Sequence, residues 1–146
     1  MMDYLKKYLA VHGQCDLTIQ GISMEPVIMS GDTVTVQRCG TYSVGDILVF
    51  DYKNEGLLAH RCLKIEDGRY FCKGDNSFRL EDVTDGQIIG KIDLPDDPHH
   101  TEDFLNASYV VTRLFRKCKY DREATLRTEE YQKYKKMYLE RNNDKE

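Results

Sequence analysis

The sequence predicts a mainly β fold, an antiparallel sheet in the form of a partly closed barrel, followed by C-terminal α-helices. Through residue 94, short apolar runs alternate with turn residues, which is typical of an antiparallel meander. Farther along, apolar side chains recur every three or four residues, which is the helical period. A proline- and aspartate-rich segment at 94–98 separates the two parts. We therefore predict a β domain at residues 1–94 and a helical, basic extension at residues 95–146 that packs on it or docks a partner.

The predicted strands are short runs bounded by glycine, asparagine or aspartate. The run TVTVQ alternates with period two, and the run ILVFDY follows a Gly-Asp turn. The regular spacing of these runs favours pairing between strands that are neighbours in the sequence. The predicted strands are residues 17–20, 33–37, 47–52, 57–65, 69–73 and 87–94.

Three helices are predicted. Thr101 is a candidate N-cap because two acidic side chains follow it in the first turn, where the helix dipole favours negative charge. The helix continues through apolar residues at helical spacing as far as Phe115. A second helix at 128–141 carries tyrosines at 131, 134 and 138, which we expect to pack against the β domain. A short helix is predicted at residues 3–11.

Composition excludes several classes of protein. The chain has 146 residues, of which 40% are hydrophobic and 32% charged, as in a globular domain. Its longest apolar runs are far shorter than the ~20 residues that span a bilayer, and we expect neither a transmembrane segment nor a signal peptide. The 5 cysteines form no C-x-x-C motif, which argues against a disulfide framework or a structural zinc site. We expect a cytoplasmic protein.

Charge is distributed unevenly along the chain. Residues 1–112 carry 18 acidic and 10 basic side chains, whereas residues 113–146 carry 7 acidic and 11 basic ones. The basic tail, with Lys117, Lys119 and Arg122, is a candidate for contact with a protein partner or, as a peripheral attachment, with anionic lipid. Nucleic acid is not an expected partner, because acidic residues interrupt the basic ones.

The first candidate for chemistry is Ser23, in the segment GISMEP at residues 21–26. Glycine before it and proline after it favour a tight, irregular backbone that could present the hydroxyl outward beside free N–H groups. A serine in a turn is more often a hydrogen-bonding turn residue, and the segment alone does not decide between the two.

His60 is the candidate base for such a serine. It stands in LLAHRCLKI, where period two places it on one face with Leu58, Cys62 and Lys64. Imidazole can accept a hydroxyl proton near neutral pH, although a strand histidine can also be merely structural. Carboxylates that could orient it follow in the segment 74–82 (GDNSFRLED).

A second histidine-containing segment, 96–103 (DDPHHTED), has side chains that can bind metals. Adjacent histidines rarely chelate one ion well, so we interpret the segment as a solvated loop with a helix cap. No metal and no cofactor is predicted.

The ordered set of motifs resembles the type I signal peptidases and their LexA-like relatives. The matching segments are GISMEP at 21–26, Gly-Asp at 31–32, VGDILVF at 44–50, HRCLKI at 60–65 and KGDN at 73–76. The resemblance covers about residues 17–92 and implies a β-rich serine peptidase fold. At position 60 the bacterial enzymes and the repressors carry lysine, whereas the endoplasmic-reticulum and archaeal type carries histidine. This chain therefore resembles the histidine type most closely, without the usual membrane anchor.

The resemblance implies roles for individual residues. Ser23 would be the nucleophile and His60 the base, with Asp82 favoured over Glu81 as the orienting carboxylate because the family uses aspartate. Asp75 would support the site through its turn, or serve as an alternative orienter. Gly21 replaces a hydroxyl residue that contributes to the oxyanion hole in some members. Finally, Met24 and Val27 would line the substrate groove, although core packing accounts for both equally well.

The function implied is that of a serine endopeptidase that cleaves a leader or signal peptide after small residues. The expected partner is an extended peptide or precursor protein. The alternatives are a LexA-like self-cleaving domain and an inactive module that only binds peptides or docks a partner. The self-cleaving alternative is less favoured, because position 60 is not lysine.

Overall fold

The computed structural model describes residues 2–139, with side chains described from Tyr4 onward. A short N-terminal helix leads into seven strands, which are followed by three helices. The elements are α1 (Met2–His12), β1 (Gln14–Thr18), β2 (Thr33–Gln37), β3 (Ile47–Asp51), β4 (Leu57–Glu66), β5 (Arg69–Lys73), β6 (Glu81–Thr84), β7 (Ile88–Asp93), α2 (Glu102–Lys117), α3 (Arg122–Leu126) and α4 (Glu129–Leu139).

The strands form one seven-stranded sheet in the order β1-β2-β7-β3-β4-β5-β6, with every neighbouring pair antiparallel. The sheet is open, with β1 and β6 as its edges. The predicted mainly β fold with C-terminal helices is confirmed. Hairpin connections place β3, β4, β5 and β6 side by side, and this order determines which side chains meet at the site.

The elements differ from the prediction in three places. The first strand begins at Gln14 rather than 17, because Cys15 and Leu17 alternate inward along it. Strand β6 and helix α3 were not predicted, since each has at most five residues and a mixed, charged sequence. Helix α4 ends in the structure at Leu139, and the predicted extension to 141 falls outside the described residues.

The central strand β3 is buried on both faces, which explains its continuous apolar sequence. Ile47 and Val49 pack into one core together with Leu9 of α1. Leu48 and Phe50 face the other side and pack with residues of β4, β5 and β6.

The C-terminal helices pack on the β part through an aromatic cluster. Phe78, in the loop before β6, is buried in one cluster with Phe104 of α2 and the three tyrosines of α4. Tyr131, Tyr134 and Tyr138 are each less than a tenth exposed, and the predicted packing of this stripe is confirmed. Thr101 accepts a hydrogen bond from the Phe104 N–H and therefore caps α2 as predicted.

Within the described residues, none of the helices combines the length and the apolar character that crossing a bilayer requires.

Candidate active site

Ser23 lies in the irregular connection that follows β1. The backbone at Gly21 has a φ of 97°, a conformation that favours glycine and turns the chain toward Ser23. The connection is closed at its base, because Ile19 donates to the Asp32 carbonyl and accepts from the Gly31 N–H. The Ser23 N–H donates to no acceptor among the described residues, so it is available to an oxyanion.

The structure brings Ser23 and His60 together as predicted. The Ser23 Oγ lies 3.0 Å from Nε2 of His60, which is buried in β4. The other ring nitrogen, Nδ1, lies 2.7 Å from Oε1 of Glu81. An ionised carboxylate only accepts hydrogen bonds, so Nδ1 carries the proton and Nε2 presents its lone pair to the hydroxyl.

The carboxylate that contacts His60 is Glu81, whereas Asp82, the residue preferred from the sequence, does not contact the ring. Side chains alternate along β6, so Glu81 points into the protein with Val83 while Asp82 points outward. Asp82 instead accepts a hydrogen bond of 2.6 Å from exposed Arg69. The apolar residue Val83 marks the inward face of β6 in the sequence, and this signal assigns Glu81 to that face.

The register of the sheet explains how a side chain on β6 reaches β4. Cys62 of β4 lies opposite Cys72 of β5, which lies opposite Glu81 of β6, so all three point to the same face. His60 shares that face because it precedes Cys62 by two residues. From this shared face the glutamate side chain reaches the imidazole.

Both carboxylate oxygens of Glu81 have partners. Oε2 accepts a hydrogen bond of 3.0 Å from Nε of Arg79, and the same guanidinium binds both oxygens of Glu55 at 2.9 and 3.0 Å. The hydrogen bonds to Glu55 and Glu81 raise the pKa of Arg79. Arg79 therefore fixes the orientation of Glu81, a role that the sequence analysis did not identify.

The prediction of which side chains share a face of β4 is only partly correct. The register shifts between Cys62 and Lys64, so the bulge turns Lys64 away from the face of His60 and toward solvent, where it pairs with Glu66. Arg61 points to the opposite face and is fully buried. Its guanidinium forms bidentate hydrogen bonds with Asp75 and contacts both oxygens of Asp97.

Asp75 is part of this buried ion network and does not contact His60. Burial alone would raise the pKa of its carboxyl, but the Arg61 guanidinium and the hydrogen bond from His99 outweigh burial and lower the pKa to about 2. The Nδ1 atom of His99 lies 2.7 Å from Oδ2 of Asp75. His99 is 1% exposed, so the interpretation of its segment as a solvated loop is wrong at this residue, because a carboxylate and an aromatic ring enclose it.

The turn at Gly74–Ser77 is hydrogen-bonded to the backbone of Ser23, as expected for the turn that contains Asp75. The Asn76 N–H donates to the Ser23 carbonyl at 2.8 Å. A Cβ at position 74 would lie 2.9 Å from both the Cβ and the carbonyl oxygen of Ser23, so only glycine permits this approach. The turn therefore determines where the Ser23 backbone lies.

A cleft of about 230 Å³ opens beside Ser23 and His60. Met24 lines it, but its side chain is only 2% exposed and belongs to the core. Val27 packs against the same core and is not part of the cleft lining. A cavity of about 630 Å³ beside α1 contains none of these residues. The cleft is lined by residues 17–20, Ser23, Met24, Val49 and residues 57–60.

Among residues 2–139, no group of three or more histidine, cysteine or acidic side chains is arranged to hold a metal ion.

A serine, a histidine and a buried carboxylate in line beside an open cleft form the type of site found in serine hydrolases. Comparison with protein families agrees: the Peptidase S24-like family matches residues 3–93, more than half of the chain, and the chain belongs to this family. No curated protein matches it significantly. Family membership confirms the broader resemblance to LexA-like and signal-peptidase-like serine peptidases. Helices α2, α3 and α4 lie outside the matched residues.

Lys73 is a fully buried cation immediately before the supporting turn. Its Nζ donates to the Gly74 carbonyl, to Ser108 Oγ and to the Tyr134 hydroxyl, at 3.0, 3.0 and 3.2 Å. Burial lowers the pKa of Lys73 to about 7, although the carboxylates of Asp75 and Glu81 oppose this shift.

Because the pKa of Lys73 falls from 10.5 to about 7 on folding, the unfolded chain binds more protons between these pH values. The contribution of Lys73 to the free energy of unfolding therefore rises with pH in this window. We predict that the stability of the wild type relative to Lys73→Met increases from about pH 7 to pH 9.5, measured by urea unfolding. Lys64→Met, which removes an exposed lysine, is the control and should run parallel to the wild type. If the free energy of unfolding of Lys73→Met changes with pH in parallel with that of the wild type, the lowered pKa of Lys73 is wrong.

Proposed function

We propose that this chain is a serine endopeptidase of the signal-peptidase type, which cleaves a leader or signal peptide after small residues. Ser23 is the nucleophile, His60 the general base and Glu81 the orienting carboxylate. The observation that carries the proposal is the hydrogen-bonded line from Ser23 Oγ through the His60 ring to Glu81, at 3.0 and 2.7 Å. Family membership supports serine peptidase chemistry in general.

The proposed reaction follows from the positions of these groups. The Ser23 hydroxyl transfers its proton to Nε2 of His60 as Oγ attacks the scissile carbonyl carbon. The N–H of Ser23 donates to the resulting oxyanion, and Glu81 stabilises the imidazolium. The imidazolium then gives its proton to the leaving amine, which breaks the peptide bond and leaves an acyl-enzyme. Water, deprotonated by His60, hydrolyses the ester and restores the serine.

The cleft is suited to an extended peptide. β5 pairs with β4 from Arg61 onward, so within residues 2–139 one backbone edge of residues 57–60 has no partner strand. A peptide that adds a strand there would form main-chain hydrogen bonds and present alternate side chains to the cleft. The volume of about 230 Å³ and the apolar lining favour short apolar side chains next to the cleaved bond.

The histidine-type assignment rests on position 60. His60 occupies the base position within hydrogen-bonding distance of Ser23, whereas Lys73 donates to Ser108 and Tyr134 on the side of the C-terminal helices. No lysine is among the residues that line the cleft. These contacts favour histidine over lysine as the base.

The test of the proposed function is a cleavage assay on a library of extended peptides with wild type, Ser23→Ala and His60→Ala. We expect cleavage after small residues by the wild type only, with unchanged circular dichroism in both variants. Uncut peptides that bind the wild type would instead indicate a peptide-binding module. Cleavage of the chain itself, with no peptide cut, would indicate a self-cleaving domain.

Glu81 and Asp82 are adjacent carboxylates that allow a matched comparison. Glu81→Gln removes the negative charge and replaces one oxygen by an NH2 donor. Because Arg79 needs the remaining oxygen as its acceptor, the NH2 group faces Nδ1 of His60 and disfavours the Nδ1–H tautomer, so kcat should fall about 10²- to 10⁴-fold. Asp82→Asn removes only an exposed pair with Arg69 and should change kcat less than about twofold. The kcat values measured on a cleaved library peptide decide which of the two carboxylates orients His60. A larger loss in Asp82→Asn than in Glu81→Gln would reverse it.

A further inference from the structure

The C-terminal helices contact the turn that supports Ser23. Two buried tyrosines of α4 reach it, with their hydroxyls pointing at the turn. The Tyr134 hydroxyl donates to the Asp75 carbonyl at 2.5 Å, and the Tyr138 hydroxyl donates to Oδ1 of Asn76 at 3.3 Å. Both acceptors belong to the Gly74–Ser77 turn, so α4 fixes both its backbone and its side chain.

The turn transmits this contact to the nucleophile. In the side-chain amide of Asn76, Oδ1 accepts a hydrogen bond from the Tyr138 hydroxyl. Nδ2 of the same amide donates to the Ile22 carbonyl at 3.4 Å. Its backbone N–H donates to the carbonyl of Ser23 itself. A single residue therefore connects the helix to the backbone on both sides of the Ser23 N–H.

His99 provides a second connection between the same parts. Its Nδ1 lies 2.7 Å from the Asp75 carboxylate, and its Nε2 lies 3.2 Å from the backbone carbonyl of Tyr138. The ring stacks on Phe104 of α2 with the ring centres 4.0 Å apart. The turn is thus held by α2 and α4 through buried polar contacts as well as by packing, which fixes its position more tightly than packing alone.

We propose that Tyr134 and Tyr138 are positioning residues for Ser23, so that the helices beyond the family match are part of the active site of this chain. The proposal rests on the proposed function, since it concerns the reactivity of Ser23. The hydroxyls act through the turn and do not touch the substrate. Their loss would let the turn shift and would lengthen the contact between Ser23 Oγ and His60 Nε2, to which reactivity is highly sensitive.

Helix α4 offers a matched control. Tyr131 is buried in the same aromatic cluster, but among the described residues the hydrogen-bond partner of its hydroxyl is the hydroxyl of Tyr138, at 3.4 Å. Tyr131→Phe and Tyr134→Phe each remove one buried hydroxyl from one helix. Only the second removes a contact to the turn, and it also removes one of the three acceptors of Lys73, the residue directly before the turn. Both variants should lose some thermal stability, and a loss of stability alone does not distinguish them.

The distinguishing measurement is the rate at which a fluorophosphonate, which phosphonylates an activated serine and releases fluoride, inactivates each protein well below its melting temperature. We expect the limiting rate for Tyr134→Phe to fall about five- to tenfold with little change in the half-saturating reagent concentration. Tyr138→Phe should show a smaller loss, and Tyr131→Phe should stay within about twofold of the wild type.

If the wild type reacts and Tyr134→Phe reacts at the rate of Tyr131→Phe, the positioning proposal is wrong while the proposed function stands. If the wild type neither reacts with the reagent nor cleaves a library peptide, the proposed function is wrong and the positioning proposal falls with it. If it cleaves a peptide without reacting, kcat on that peptide replaces the inactivation rate in the same comparison of variants.

Hydrogen exchange of the peptide amides supplies a readout that does not depend on activity. The Asn76 N–H is protected by its bond to the Ser23 carbonyl, and we expect it to exchange faster in Tyr134→Phe than in Tyr131→Phe. Equal protection of residues 74–77 in the two variants would overturn the proposal.

Discussion

The site depends on one imidazole that joins the connection after β1 to strand β6. His60 stands on β4 with Ser23 on one side and Glu81 on the other, at 3.0 and 2.7 Å. Donation of the Nδ1 proton to the carboxylate leaves the lone pair of Nε2 directed at the hydroxyl. The strand order β4-β5-β6 makes this line possible, because residues in register across three strands share a face. The ring is held further by Phe50, whose edge packs against it.

A buried network of paired charges lies next to the turn that contacts Ser23. Arg61 is fully buried, and it is tolerated because Asp75 and Asp97 both pair with it. An unpaired ion at such a position would cost several kcal/mol, so the network is stable only when it is complete. Because Asp75 lies within the turn that contacts Ser23, the ion network, the turn and the C-terminal helices together determine where the nucleophile stands.

Much of the fold follows from periodicity, and the order of the motifs identifies Ser23 and His60. The third residue requires β6, whose four residues form too short and too charged a run for its period to stand out. Once β6 is recognised, alternation with Val83 assigns Glu81 to the inner face. The burial of His99 follows no local pattern, because it depends on Asp75, which lies 24 residues away in the sequence, and on helices that fold over it.

Nuclear magnetic resonance of the histidine ring nitrogens can detect which nitrogen of His60 carries the proton. We expect His60, in mildly alkaline buffer, to carry its proton on Nδ1, with a strongly downfield proton signal from the bond to Glu81. The signal should persist in Asp82→Asn and disappear in Glu81→Gln. A neutral ring protonated on Nε2 would rule out His60 as the base, because that tautomer donates toward Ser23 and cannot accept its proton.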